Sequence, residues 1–290
     1  MTVLRAALLT LMVLVVPLAR PVPLRAAVQT DEIAKHKINI AGRERMLVQR
    51  MAMLTCLAGT GVQSQSALAR AAAASAQFDT VLTALRHGDP AQNLPPETNP
   101  QIQEQLLEVQ SLWDGYRAAV ERYIAEGHDN DLRAIHGRAD PLMEAMNTAV
   151  QQMDHAYSGG LVAAEIANTI NVAGGQRMLL MKLVKEICMA GRGYDVNGDR
   201  ARLARTMDTF ATRLDALQQG NAKTGVIAPP SFEIEMQLEL VRIIWDWMGI
   251  PLGAALGGLL SDQEKLSELL YHVEVALQEM NAAVVMYEAY

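Results

Sequence analysis

The chain repeats itself. At an offset of 132, residues 38–59 (INIAGRERMLVQRMAMLTCLAG) fall on 170–191 (INVAGGQRMLLMKLVKEICMAG) with 10 of 22 positions identical. The same offset lays Phe78, Thr80, Leu82, Ala84 and Leu85 on Phe210, Thr212, Leu214, Ala216 and Leu217, and Trp113-Asp114 on Trp245-Asp246. Near the C-terminus the offset becomes 134, where Met146-Asn147 meets Met280-Asn281. A duplicated unit of this size must fold in one way twice, which removes most architectures from consideration.

Within a unit the apolar period is helical. In the first copy, Asp31–Cys56, Val62–Arg86, Ile102–Ala125 and Leu132–Tyr157 read as helices, broken by the Gly- and Pro-rich stretch 87–100 and by Gly127-His-Asp-Asn-Asp. Pro141 is expected to bend the fourth helix or to mark its true start. The second copy repeats the pattern with breaks at 191–198, 220–230 and 250–261, and Ser158-Gly159-Gly160 marks the join. Aromatics make up only 4% of the residues while Ala, Leu and Met abound, a mix that favours helices over sheets. The expected fold is all-α: two tandem up-down four-helix bundles, residues 28–158 and 159–290.

Residues 1–27 read as a signal peptide. Arg5 precedes the apolar run Ala6–Leu18, too short to span a bilayer, and a cleavage point follows near Ala26 or Ala27. Cleavage would remove three arginines and no acid from a chain already at −7. The mature protein is therefore expected in the periplasm. The other long apolar stretch, 247–260, contains Pro251 and several glycines and is too short for a second span, so the mature chain is expected to carry none. The acidic balance, with no basic stripe, argues against nucleic acid as a partner.

The first helix of each copy carries the chemistry. At 100° per residue, Ile38, Gly42, Arg45, Gln49, Ala52 and Cys56 lie on one seam, and Ile170, Gly174, Arg177, Met181, Val184 and Cys188 on its counterpart. Leu47, Met51 and Leu54 make the opposite side apolar as well, which places the helix centrally. A buried guanidinium needs a partner, and no acid stands one turn away on the seam. Either Arg45 and Arg177 meet acids from other helices or snorkel to water, or they face each other across a small planar oxyanion that accepts their forked hydrogen bonds. Gly42 and Gly174 would leave room for the anion. Cys56 and Cys188 each follow their arginine by 11 residues. If the two motif helices run parallel, both thiols reach the same level and can close a disulfide. If they do not, both are buried small residues.

Ile38-Asn39-Ile40-Ala41-Gly42-Arg43-Glu44-Arg45-Met46-Leu47-Val48-Gln49-Arg50-Met51 resembles the opening motif of the N-terminal sensor domain of type IV pili methyl-accepting chemotaxis transducers. It is also similar to the "P-box" of nitrate/nitrite sensor kinases. The resemblance implies that Arg45 and Arg177 bind nitrate or nitrite at a two-fold interface, with Asn39, Asn171, Gly42, Gly174 and Gln49 around them. In the second copy Gly175, Met181 and Lys182 replace Arg43, Gln49 and Arg50, which makes it the weaker half. The family's members are membrane receptors, so the chain is expected to work with a separate membrane sensor, chemoreceptor or transporter. The alternative is a ligand-free structural or adaptor protein of the envelope or of a type IV pilus or chemotaxis system.

Other signals are weak. The six histidines show no HxxxH or HExxH spacing and the cysteines no CxxC, so neither a metal nor a cofactor is expected. No nucleophile elbow or phosphate loop points to an enzyme. Trp113 and Trp245 suit core anchors, and most of the sixteen methionines fill the core.

Overall fold

The computed structural model describes residues 24–158, 164–258 and 263–290. Eight helices account for nearly all of it: α1 (Leu24–Gly59), α2 (Ser64–His87), α3 (Pro100–Glu126), α4 (Asp129–Ser158), α5 (Ala164–Arg192), α6 (Val196–Gln219), α7 (Phe232–Leu256) and α8 (Gln263–Ala289). Residues 1–23, which hold most of the expected signal peptide, and the join at 159–163 lie outside the described residues. Among the described residues no helix is long and apolar enough to cross a membrane.

Each copy is a four-helix bundle, and the two are joined chiefly through α1 and α5. Both motif helices are apolar on two sides because each packs against its own bundle and against the other's. Ile38, Val48, Met51, Leu54 and Leu57 of α1 are fully buried, as are Leu180, Met181, Leu183 and Val184 of α5. Burying such a side chain is worth about 1.5–3 kcal/mol, so the joint between the halves is core and not a loose domain contact. Phe78 stacks against Trp113 at 4.2 Å between ring centroids, and Phe210 against Trp245 at 4.3 Å. The repeat therefore preserves the same anchor in both bundles.

Local chemistry sets the helix ends. Asn99 caps α3, its side chain accepting from the Gln101 N–H with Pro100 in the first turn. Asp195 and Ser231 cap α6 and α7 in the same manner. Gly88 and Gly220 end α2 and α6 at φ 82° and 77°. A Cβ at either would stand 2.8–2.9 Å from the backbone nitrogen of Pro96 or Ala228, so both loops require glycine. Small paired bridges, Asp89 with Leu94 and Asn221 with Val226, close these loops identically.

The structure places both prolines inside helices, so Pro141 does not mark the start of α4 and the break expected from residue 250 comes later. Helix α4 runs unbroken through Pro141, and α7 continues through Pro251 to Leu256 instead of ending near Ile250. Leu142 and Met146 beyond the first proline, and Leu252 and Ala255 beyond the second, reach the core, and that burial outweighs one lost backbone hydrogen bond.

Candidate functional site

The seam residues converge where α1 and α5 cross the centre of the molecule. A Cβ placed on Gly42 would lie 3.2 Å from Arg45 Nη2 and 3.8 Å from Arg177 Nη2. On Gly174 it would lie 3.3 Å from Arg177 Nη2 and 3.7 Å from Arg45 Nη2. Both guanidinium tips thus face both glycines, and a side chain at either glycine would crowd them. Cys56 and Cys188, three turns on, are joined by a disulfide with Cα atoms 6.2 Å apart. Helices that meet in register at both levels run parallel, related by a pseudo-two-fold.

The hydrogen bonds of the pair follow that symmetry. Arg45 Nη1 donates to Asn147 Oδ1 (2.6 Å) and Nη2 to the Asn171 carbonyl (3.3 Å). Arg177 Nη1 donates to Asn281 Oδ1 (2.9 Å), and Nη2 to the Asn39 carbonyl (3.2 Å) and Oδ1 (2.8 Å). Each Nε points back to its own glycine carbonyl. Every one of these acceptors is a neutral oxygen. Arg45 is 2% exposed and Arg177 1%, so two cations share a buried centre, and among the described residues neither forms an ion pair with a carboxylate. Burial, followed by the charges of Arg177 and Arg213, lowers the Arg45 pKa to about 9. Burial and then Arg43 lower that of Arg177 to about 10. Both remain protonated at neutral pH, and their charge is only partly offset.

Acids stand one step further out. Glu288 takes the Asn39 side-chain amide and, at 2.7 Å, His36 Nδ1. Asp154 accepts from the Asn171 side chain in the other half. Burial raises the Asp154 pKa, whereas for Glu288 the contacts with His36 and Asn39 outweigh burial and the pKa falls. A cleft of about 960 Å³, bordered by His36, Asn39, Arg43, Gln92 and Glu288, opens beside Asn39.

Six of the seven candidate ligand residues meet here: Arg45, Arg177, Gly42, Gly174, Asn39 and Asn171. Gln49 does not. Its Nε2 donates to Asp140 Oδ1 (3.2 Å), the oxygen that also receives Lys182 (3.0 Å) and Lys185 (2.7 Å). Three site residues escaped the seam argument. Asn147 and Asn281 lie on the fourth helices, and their only signal was the recurrence of Met-Asn at offset 134. Arg213, on α6, has Val81 at its position in the first copy and left no signal. It is partly buried and, like Arg43, has no salt-bridge partner among the described residues. Elsewhere, Glu126, His128 and Asp131 bring potential metal-donor atoms within 4.8 Å of one another at the α3–α4 turn, where Arg122 already engages Asp131.

A family model described as "Type IV pili methyl-accepting chemotaxis transducer N-term" matches the chain twice, over residues 27–136 and 163–270. The chain is also 30% identical over 171 residues to "Methyl-accepting chemotaxis protein McpN" of Pseudomonas aeruginosa. That alignment covers 57% of this chain and 31% of the relative, so it spans under a third of the relative's length. With one family domain in each half of its duplication, the chain belongs to the type IV pili methyl-accepting chemotaxis transducer N-terminal domain family.

Proposed function

We propose that the protein is a periplasmic sensory module that binds one small planar oxyanion, nitrate or nitrite, between Arg45 and Arg177. It would report occupancy to a separate membrane chemoreceptor or transporter. One observation carries the reading: two buried guanidiniums face the same pair of glycines and are satisfied only by neutral oxygens. A planar anion between them would accept from both forks and cancel charge that the fold leaves uncompensated. The guanidiniums of Arg43 and Arg213, without an ion-pair partner among the described residues, extend the positive field to either side. The two family domains in one chain would do together what two subunits do in a symmetric receptor.

Thermal unfolding of the exported protein against nitrate, nitrite, sulfate, acetate and chloride tests this, since a ligand of the native state alone raises the melting temperature. Nitrate or nitrite should give a saturable rise well above that of chloride at equal ionic strength. Identical curves for all five anions would overturn the proposal.

A further inference from the structure

The duplication supplies its own control for helix α7. The inward face of α7 copies that of α3: Ile234 stands for Ile102, Leu238 for Leu106 and Val241 for Val109, all buried. The outward faces differ. On α7, Phe232, Met236, Leu240, Ile243, Trp247 and Ile250 are all exposed, Trp247 by 63% and Ile250 by 87%. The corresponding residues of α3 are Pro100, Glu104, Glu108, Ser111, Gly115 and Ala118. One copy of the fold therefore needs no large apolar side chain on this face, yet the other has six in line.

Their spacing is 4-4-3-4-3, which confines them to an arc of about 80° along about 27 Å of helix. That is the seam one helix offers to another. Its borders are acidic. Glu235, Glu239 and Asp246 are exposed within about 60° of one edge. Arg242 on the same side is taken by Asp215 and Gln218. On the other edge, contacts of Gln237 with Glu279 and of Trp247 with His272 bring α8 alongside, and α8 adds the exposed Glu268 and, one turn before it, the exposed Lys265. A second copy of this chain would bring acid against acid along such a seam, and an anionic membrane surface would also be repelled.

We propose that the outward face of α7 is the docking surface for a helix of another protein, one with an apolar heptad seam bordered by lysines or arginines. This assignment stands whether or not the arginine pair binds an anion. It gives the second copy a task that the first does not share.

The test uses the full chain and two dye-labelled synthetic helical peptides of about three heptads. They share a leucine seam, and one is flanked by lysines, the other by glutamates. Fluorescence anisotropy should show binding of the lysine peptide alone, with Kd rising about fivefold or more between low and physiological salt. Ile243→Asp combined with Trp247→Asp should raise that Kd more than about tenfold while leaving the melting temperature and helical signal unchanged. Failure of both peptides to bind, equal binding of the two, or equal binding by the variant would each overturn the proposal. So would a dimer in sedimentation, or binding to phospholipid vesicles, that the variant abolishes, since either gives the face a different occupant.

Discussion

Gly175 and Arg213 occupy one volume: a Cβ on Gly175 would stand 2.9 Å from Arg213 Nη1. The first copy has Arg43 and Val81 at these positions. An arginine absent from the motif helix of the second copy is thus supplied by the neighbouring helix α6, and the glycine admits it. The electrostatics are reciprocal, because Arg43 acts on Arg177 while Arg213 acts on Arg45. What reads in sequence as decay of the second motif is the relocation of a charge.

This relocation predicts a rescue. Arg213→Val should weaken nitrate binding about fivefold, roughly 1 kcal/mol for a partly solvated charge near the anion. Adding Gly175→Arg, which restores the pattern of the first copy, should recover most of the loss. Isothermal titration of wild type, single and double variants decides it. A double variant no better than Arg213→Val would show that Arg213 does not stand in for Arg43.

The inner pair should behave as equals. Each arginine donates into the opposite half, Arg45 to Asn171 and Arg177 to Asn39, so neither copy holds the site alone. Arg45→Gln and Arg177→Gln should each cost at least about tenfold in nitrate affinity. Each should also raise the melting temperature of anion-free protein, because it removes one of two like charges from a buried centre. Thermal unfolding with and without nitrate measures both effects, and a marked inequality between the variants would contradict the two-fold site.

Much of this was legible because the chain carries an internal reference. The offset aligned the two arginines, the two glycines and the two cysteines, and helical geometry placed them on one seam. Asn147 and Asn281 were not legible, because nothing along the chain says which side of α4 or α8 faces a guanidinium 102 or 104 residues away. Gln49 shows the complementary failure. An angle on a helix names a direction but not the neighbour found there, and that neighbour is Asp140. Arg213 was hidden because the compensation came from a different helix.

A buried acid gives a pH prediction. Glu44 is fully buried and neither carboxyl oxygen has a hydrogen-bond partner among the described residues, whereas its counterpart Gln176 donates to the Phe210 carbonyl at 2.9 Å. Burial holds the Glu44 pKa well above 4.5, with Arg43 offsetting it only in part. The unfolded chain releases this proton near the ordinary value while the folded chain keeps it. The contribution to stability is therefore complete below about 4.5 and is lost as pH rises towards the folded pKa. Glu44→Gln should remove that decline and stabilise the protein at pH 7 by on the order of 1–3 kcal/mol. Urea unfolding at pH 5 and pH 8 reads the difference, and parallel pH slopes for the two proteins would refute a neutral buried Glu44.

The disulfide should stabilise the joint through the unfolded chain. Cys56 and Cys188 are 132 residues apart in sequence, so their bond removes much of the freedom of the denatured ensemble. Loop-closure entropy for so long a loop approaches about 5 kcal/mol, and measured values are commonly about 2–4. Cys56→Ala with Cys188→Ala should lower the urea midpoint accordingly, and both sites, being buried, tolerate the small apolar replacement. The bond also pins α1 and α5 at the same level three turns from the arginines. Nitrate affinity in the variant should therefore fall by no more than a fewfold if packing alone keeps the helices parallel, and much further if the bond sets their register. Denatured, non-reduced wild-type protein should show no free thiol. Two free thiols, or an unchanged urea midpoint in the variant, would mean that the bond does not tie the halves together.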